Sequence, residues 1–140
     1  MLSPTETDDL RAFAGTMIPA SATHGVPGAD DEKIFADIVK SIGRDLGDLR
    51  VALTNLAGIA ELPPAARLDK ANAFRAQGGV PLQAIARVVL QCYYRDDRVM
   101  RSLGQEPRSP FPKGHAIEQG DWSLLDPVKK RPPFWRKVPQ

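Results

Sequence analysis

The sequence predicts an all-α protein, a small bundle of about five to six helices followed by a long, irregular, proline-rich C-terminal tail. Apolar residues in the first 104 positions recur at spacings of three and four, which is the period of an amphipathic helix. Of the 13 prolines, seven fall after position 104 and interrupt any regular structure there. We therefore expect a helical bundle over residues 1–104 and an extended, partner-wrapping tail over residues 105–140.

Length and composition narrow the classes of protein to which the chain can belong. With 140 residues it has the size of one domain, and an apolar fraction of 42% allows a modest core. A net charge of +2 gives no general attraction to nucleic acid. The longest apolar run, Val88-Val89-Leu90 with its neighbours, is interrupted by Arg87 and Gln91 and is too short for a membrane span. We therefore predict no direct insertion into a membrane.

The first two helices are predicted from their start and stop signals. Ser3 as N-cap with Glu6 three residues later forms a capping box, and Pro19 ends this helix. After a loop rich in glycine and proline, acidic residues crowd the first turn of a second helix, which Gly43 closes in a left-handed cap. The predicted apolar faces comprise Leu10, Phe13, Ala14 and Met17 in the first helix, and Ile34, Phe35, Ile38, Val39 and Ile42 in the second.

Four further helices follow the same period. A third runs from about Asp45 to Glu61 and a fourth from Pro64 to Ala76. The fifth, over residues 82–94, is apolar on nearly all sides and is therefore expected at the centre of the bundle. Asp96 or Asp97 caps a sixth helix, which ends at Gly104. The side chains predicted to face inward in the third and fourth helices are Leu46, Leu49, Val51, Leu53, Leu56, Ile59, Ala60, Leu68 and Phe74.

The tail carries large apolar side chains that a solvated linker would lack. Both tryptophans of the chain lie in it. Aromatic side chains are favoured at protein interfaces, and a proline-rich segment loses less entropy when it becomes ordered. We therefore expect the tail to lie on a surface. The predicted partner-binding residues are Phe111, Trp122, Leu124, Phe134 and Trp135.

Basic residues accompany these aromatics in the last part of the tail. Lys129-Lys130-Arg131 and Arg136-Lys137 flank Phe134-Trp135, a pattern that also occurs in single-strand nucleic-acid binding. The basic patch is short, and Asp121 and Asp126 lie close to it. An acidic protein surface is therefore the favoured counterpart, and no nucleic acid is predicted as a partner.

No residue pattern in the chain predicts catalysis, a bound cofactor or a metal site. There is no glycine-rich dinucleotide loop after a strand, no phosphate-binding loop and no Cys-x-x-Cys-His. The lone Cys92 excludes an internal disulfide framework, and a buried thiol is favoured over an intermolecular bond. His24 and His115 are interpreted as ordinary loop residues, although either could line the active site of a partner.

Two charged clusters have structural explanations that we prefer to functional ones. The residues Asp30-Asp31-Glu32 could form a cation site, but their complementarity to a helix dipole explains them without a metal. Tyr93-Tyr94 before Arg95-Asp96-Asp97-Arg98 could suggest a catalytic tyrosine. We expect instead that Tyr93 packs inside, that Tyr94 bonds at the rim of the core, and that the charges pair along a helix start.

Three stretches of the sequence resemble a known family. They are FAGTMIPA with GVPGAD (within residues 10–30), VVLQCYY through Leu103-Gly104 (residues 88–104) and PFPKG (residues 110–114). In their order and spacing, the three stretches are similar to the gluconate 2-dehydrogenase subunit 3 family. Its members are the small (gamma) subunits of membrane-linked or periplasmic flavoprotein dehydrogenases.

The resemblance implies an accessory role. In such complexes the large partner is an FAD-dependent oxidoreductase of the glucose–methanol–choline type, which oxidises an alcohol or sugar hydroxyl. The small subunit supports the folding, stability or export of that partner, and some complexes add a cytochrome c subunit as electron acceptor. FAD and the catalytic histidine belong to the large subunit. The resemblance therefore implies a non-catalytic chain without a cofactor of its own.

One departure from the family concerns export. Many members begin with a twin-arginine signal, whereas this sequence starts Met1-Leu2-Ser3-Pro4 and shows no signal peptide. We expect either a cytoplasmic complex or a periplasmic one reached by co-export with a signal-bearing partner. Two other interpretations stay open. One is a stand-alone helical adaptor or regulator whose tail packs on its own bundle, and the other is a nucleic-acid-binding module.

Overall fold

The protein is all-α, as the sequence predicts. A computed structural model describes residues 1–109, 111–114 and 118–132, and within them the backbone forms α-helices and short 3₁₀ turns with no β-strand. The helices are α1 (Pro4–Met17), α2 (Glu32–Ser41), α3 (Leu46–Leu56), α4 (Pro64–Gln77), α5 (Gly79–Tyr94), α6 (Asp97–Ser102) and α7 (Asp126–Lys129). The 3₁₀ turns are Gly43–Asp45, Ile59–Glu61 and Trp122–Leu125.

Side-chain caps start three of the helices. The Ser3 hydroxyl accepts from the Glu6 amide at 3.1 Å, and the Glu6 carboxylate accepts from the Ser3 amide at 2.7 Å, which confirms the capping box. Asp31 and Asp96 are the N-caps of α2 and α6. Each carboxylate satisfies backbone N–H groups that have no partner within the helix.

By its contacts the chain divides into two compact units, residues 1–107 and 108–140. In the first unit, α5 packs against α2, α3 and α6, and α1 packs against α3, α4 and the turn Ile59–Glu61. The second unit contains the turn Trp122–Leu125 and α7, neither of which buries a residue. The core side chains that are almost fully enclosed in the first unit include Leu10, Phe13, Ile34, Ile38, Leu49, Leu56, Ile85, Val88 and Val89.

The prediction of the third helix is wrong over its last turn, residues 57–61. The helix ends at Leu56, and Gly58 adopts a left-handed conformation (φ 76°) before the 3₁₀ turn begins. The cause lies in α1, where the buried Asp9 carboxylate accepts from the Gly58 amide at 2.9 Å and from the Ala60 amide at 3.0 Å. A long-range cap therefore replaces the helical hydrogen bonds of this segment.

Three side chains that were predicted to face inward are exposed. Val39, Val51 and Leu68 lie on the solvent sides of α2, α3 and α4. On each of these helices, fewer apolar positions are buried than the spacing predicted. Single exposed apolar side chains are common on protein surfaces. The helix α5 does contact three others, yet Leu90 and Tyr94 stay exposed on its outer face.

Candidate interaction surfaces

The predicted contact residues of the tail are exposed wherever the structure describes them. The exposed fraction is 86% for Phe111, 66% for Trp122 and 74% for Leu124. Phe134 and Trp135 lie outside the described residues, as does His115. Their predicted roles stay predictions.

A short helical segment holds part of this tail in a defined local conformation. Asp121 accepts from the Ser123 amide at 3.0 Å and from the Ser123 hydroxyl at 2.6 Å, and these bonds lower the pKa of Asp121. The Trp122 indole N–H donates to the Gln119 side chain at 3.2 Å. The turn continues directly into α7, so Trp122, Leu124 and Val128 are presented by a local helix rather than by an irregular chain.

The loop between α1 and α2 forms a tongue, which we define as residues 18–28. Ser21 and Val26 exchange two backbone hydrogen bonds of 3.0 and 3.1 Å, and Gly25 takes a positive φ of 62° in the turn between them. At the base, the Ala29 amide donates to the Ile18 carbonyl at 2.9 Å. The tongue is thus closed by its own backbone, which limits the entropy lost if it binds a partner.

Close packing around Asp30 secures the base of the tongue. A Cβ atom at Gly28 would lie 2.3 Å from the Asp30 carboxylate and 2.9 Å from the Ala20 amide nitrogen. A Cβ at Gly15 in α1 would lie 3.0 Å from the same carboxylate. The Arg11 guanidinium donates to the Asp30 carbonyl at 2.9 Å. A side chain at Gly28 would therefore collide with the backbone of the tongue, whereas one at Gly15 would have to displace the Asp30 side chain slightly.

A groove of about 310 Å³ separates the tongue from the junction of α5 and α6. The Tyr93 hydroxyl donates to the Pro27 carbonyl at 3.2 Å and so links the two walls. Tyr93 is buried, which confirms its predicted position and raises its pKa. The predicted bond of Tyr94 at the rim of the core is wrong, because its hydroxyl makes no hydrogen bond within the described residues and its half-exposed ring meets that of Tyr93 edge-on at 5.2 Å instead. The apolar side chains that line the groove are Ile18, Pro19, Val26, Tyr94, Val99 and Leu103.

Sequence reasoning missed this groove, although the tongue and the junction each contain one of the first two stretches that carry the family resemblance. None of its ten lining residues is Asp, Glu, Lys or Arg. Tyr94 and Leu103 are exposed by 53% and 57%, so the groove is open to solvent. The predicted loop residue His24 lies at its edge, beside Ser21.

The charges near the groove are paired with one another. The Arg98 guanidinium contacts the Asp31 carboxylate at 2.6 Å and the Asp96 carboxylate at 2.9 Å, joining the N-caps of two helices. Hydrogen bonds from Arg98 lower the pKa of both carboxyl groups. Arg101 pairs with Asp97 at 3.4 Å. This confirms the predicted pairing at the helix start and gives the acidic cluster at Asp31 a structural role.

Cys92 lies at the base of a separate polar pocket between α2 and α5. Its residue is 1% exposed, and burial raises the pKa of its thiol. Above it, the Arg95 guanidinium makes two bonds of 2.6 Å to Asp37 and a third contact to the Ser41 hydroxyl. A buried thiol with a raised pKa is a poor nucleophile and is inaccessible to another chain.

The described part of the chain shows neither a metal-binding cluster nor a membrane-spanning helix. Among residues 1–109, 111–114 and 118–132, no three His, Cys, Asp or Glu side chains are grouped so that they could hold a metal ion. None of the helices described has the length and apolar character needed to cross a membrane. Comparisons of the chain with protein-family models, with curated proteins and with solved structures gave no match.

Proposed function

We propose that this chain is the non-catalytic small subunit of an FAD-dependent dehydrogenase. It binds and stabilises a large partner of the glucose–methanol–choline type, which holds FAD and oxidises an alcohol or sugar hydroxyl. The resemblance of residues 10–30, 88–104 and 110–114 to the subunit 3 family supports the identity of the partner. The exposure of large apolar side chains in the tail supports a binding role.

The proposal depends most on one observation, the exposure of large apolar side chains in the tail. Within residues 108–132 as described, the large apolar side chains Phe111, Trp122, Leu124, Leu125 and Val128 are all exposed. Burying one such side chain in an interface contributes about 1.5–3 kcal/mol. A local helix that presents several of them together has the character of an interface that awaits its partner.

Charge supports the same assignment. Residues 108–140 contain seven basic and three acidic residues, whereas residues 1–107 contain 12 basic and 14 acidic residues. Lys129, Lys130 and Arg131 are exposed beside the apolar side chains of α7. This combination fits an apolar protein surface with an acidic rim, which would favour correct orientation and fast association.

In the proposed complex the two subunits have different roles. The large subunit would supply FAD and the catalytic groups, while this chain would supply apolar area and a rigid helical scaffold. A cytochrome c subunit, as in some complexes of the family, would contact the flavoprotein or the free surface of this chain. Binding then stabilises the flavoprotein, because the chain binds the folded form of the partner and not its unfolded form.

The test is capture of the tagged full-length chain from its native host, followed by an absorbance spectrum of the purified material. We expect one large protein in stoichiometric amount, with the blue absorption of flavin. A variant with Trp122→Ala and Leu124→Ala should recover much less of it, while Val51→Ala, at an exposed apolar position of α3, should recover as much as the wild type. A colourless, monodisperse chain without a companion would contradict the proposal and favour the stand-alone adaptor.

A further inference from the structure

We propose that the groove between the tongue and the α5–α6 junction is a second docking site, which takes an uncharged apolar segment of the large subunit. This inference rests on the proposed function for the identity of the partner. The groove is lined by residues of the first unit, so its contact uses different side chains from those of the tail. One bulky side chain of the partner occupies the groove, in contact with lining residues such as Pro19 and Leu103.

The shape of the groove suits a side chain rather than a large ligand. Its volume of about 310 Å³ lies at the lower limit of small-molecule pockets, which hold about 300–1,000 Å³. Tyr94 and Leu103 stand half-exposed at its mouth, and Leu90 continues the apolar surface one turn earlier on α5. The site is also preformed, because hydrogen bonds of the tongue and of Tyr93 hold both walls.

Charge determines which occupant fits. The lining contains no Asp, Glu, Lys or Arg, although such residues make up 26% of the chain. The charged side chains of α6 are engaged in ion pairs, Arg98 with Asp31 and Asp96, and Arg101 with Asp97. An ionised or phosphate-bearing ligand would therefore lose its hydration without gaining a counter-charge. A neutral apolar peptide segment matches this neutral surface.

Two polar side chains at the edge favour a peptide in particular. In the described part of the chain, the Tyr94 hydroxyl and the His24 ring make no hydrogen bond to another group. An extended segment has backbone N–H and C=O groups that would bond to them while its side chain occupies the apolar floor. Tyrosine at the mouth of an apolar pocket is also a common anchor of protein interfaces.

The experiment titrates labelled full-length chain into the purified flavoprotein that the wild-type chain captures. We expect Tyr94→Ala and Leu103→Ala each to weaken binding by about tenfold. Leu103→Arg should weaken it further, because it places an unpaired charge in the groove. Val51→Ala and Val80→Ala, at comparably exposed apolar positions of α3 and α5, should change the affinity by less than about twofold.

The dependence of binding on salt concentration distinguishes the contact at the groove from the contact made by the tail. Tyr94→Ala should reduce the affinity for the flavoprotein by the same factor at low and high ionic strength, because the substitution removes no charge. The loss caused by Lys129→Ala with Lys130→Ala should shrink as salt is added. Thermal melts followed by circular dichroism check that each variant keeps the helical content and stability of the wild type.

The outcomes distinguish the two proposals. If the flavoprotein binds the groove variants and the wild type equally well, the groove inference is overturned while the proposed function stands. If the wild-type chain captures no flavoprotein, the proposed function fails and this inference fails with it. If the groove variants instead lose binding to neutral phosphatidylcholine vesicles, the occupant is lipid and the inference is also overturned.

Discussion

The two units of this chain use apolar residues in opposite ways. Every buried core side chain of the described residues lies within residues 1–107, where six helices enclose it. In residues 108–132, as far as they are described, the apolar side chains are exposed and none is buried. The first unit has the packing of a folded core, whereas the described part of the second presents large apolar side chains to solvent, the feature from which we propose an interface. We propose that residues 1–107 provide the stability of the chain, whereas the tail contributes to recognition and adds little stability.

The largest expected effect tests the stability side of this comparison. Phe13 is fully buried in α1 and meets the Phe74 ring edge-on at 5.6 Å. Phe13→Ala should lower the free energy of unfolding by about 3–5 kcal/mol, because it removes a large buried ring and leaves a cavity. Trp122→Ala, an aromatic truncation in the second unit, should change it by less than about 0.5 kcal/mol. Urea denaturation of both variants makes the comparison, and a similar loss for both would contradict it.

A smaller effect is expected at the cap that ends α3. Asp9→Ala should destabilise the chain by about 2–4 kcal/mol, because it leaves the Gly58 and Ala60 amides without their acceptor. The neighbouring Asp8 is exposed, so Asp8→Ala serves as the matched control and should be nearly neutral. Hydrogen exchange should show the loss of protection first at Gly58 and Ala60. Equal stability of the two variants would mean that Asp9 does not hold this turn.

The Arg98 network should give a moderate, pH-dependent effect. Arg98→Met should cost about 1 kcal/mol near neutral pH, a value kept small because Arg98 is 40% exposed. Asp31 and Asp96 have pKa values lowered below the ordinary value of about 3.9, so their contribution is present above that pH and is lost as the pH falls through the folded pKa values. The difference between variant and wild type should therefore shrink below about pH 4.

Denaturation of the Arg98→Met variant and of the wild type at several pH values tests whether the difference in stability shrinks as the pH falls. Arg101→Met is the control, since among the described residues Arg101 forms a single ion pair, with the exposed Asp97. It should show little effect at any pH. A difference for Arg98→Met that grows towards low pH would contradict the assigned network.

The smallest effect is expected for Cys92. Because the residue is buried and its pKa is raised, the thiol should react with a thiol reagent only when the chain unfolds. Cys92→Ala should leave the partner complex intact, and a non-reducing gel should show no bond between subunits. Rapid labelling of the native chain, or a covalent dimer with the partner, would contradict the buried position.

The parts of the fold that sequence could predict are those set by local signals. The helix starts at Ser3 and at Asp96 follow from short-range capping, and the ends near Gly43 and Gly104 follow from glycines with positive φ. The acidic cluster indicated the start of α2, although Asp31 is its N-cap and does not lie in its first turn. Such signals act within one turn of a helix, so they can be recognised without knowing the fold.

The parts that sequence could not predict depend on distant contacts. The end of α3 is set by Asp9, which precedes Gly58 by 49 residues. The groove joins the tongue to a helix junction through the bond from Tyr93 to Pro27, 66 residues apart. Glycine and proline did predict a loop at residues 19–28, but no local pattern indicates which helix it packs against. The tail residues were recognised by their composition alone, and their role as contacts stays a prediction.

The measurement that tests the central claim most directly compares affinity and stability in one pair of variants. The chain with Trp122→Ala and Leu124→Ala, and the chain with Val51→Ala and Val80→Ala, are each titrated against the captured flavoprotein and melted in parallel. We expect the first to lose about 10- to 100-fold in affinity with an unchanged melting temperature, and the second to keep the wild-type affinity. If the tail variant instead loses helix and stability in step with binding, the tail belongs to the core and the separation of stability from recognition is wrong.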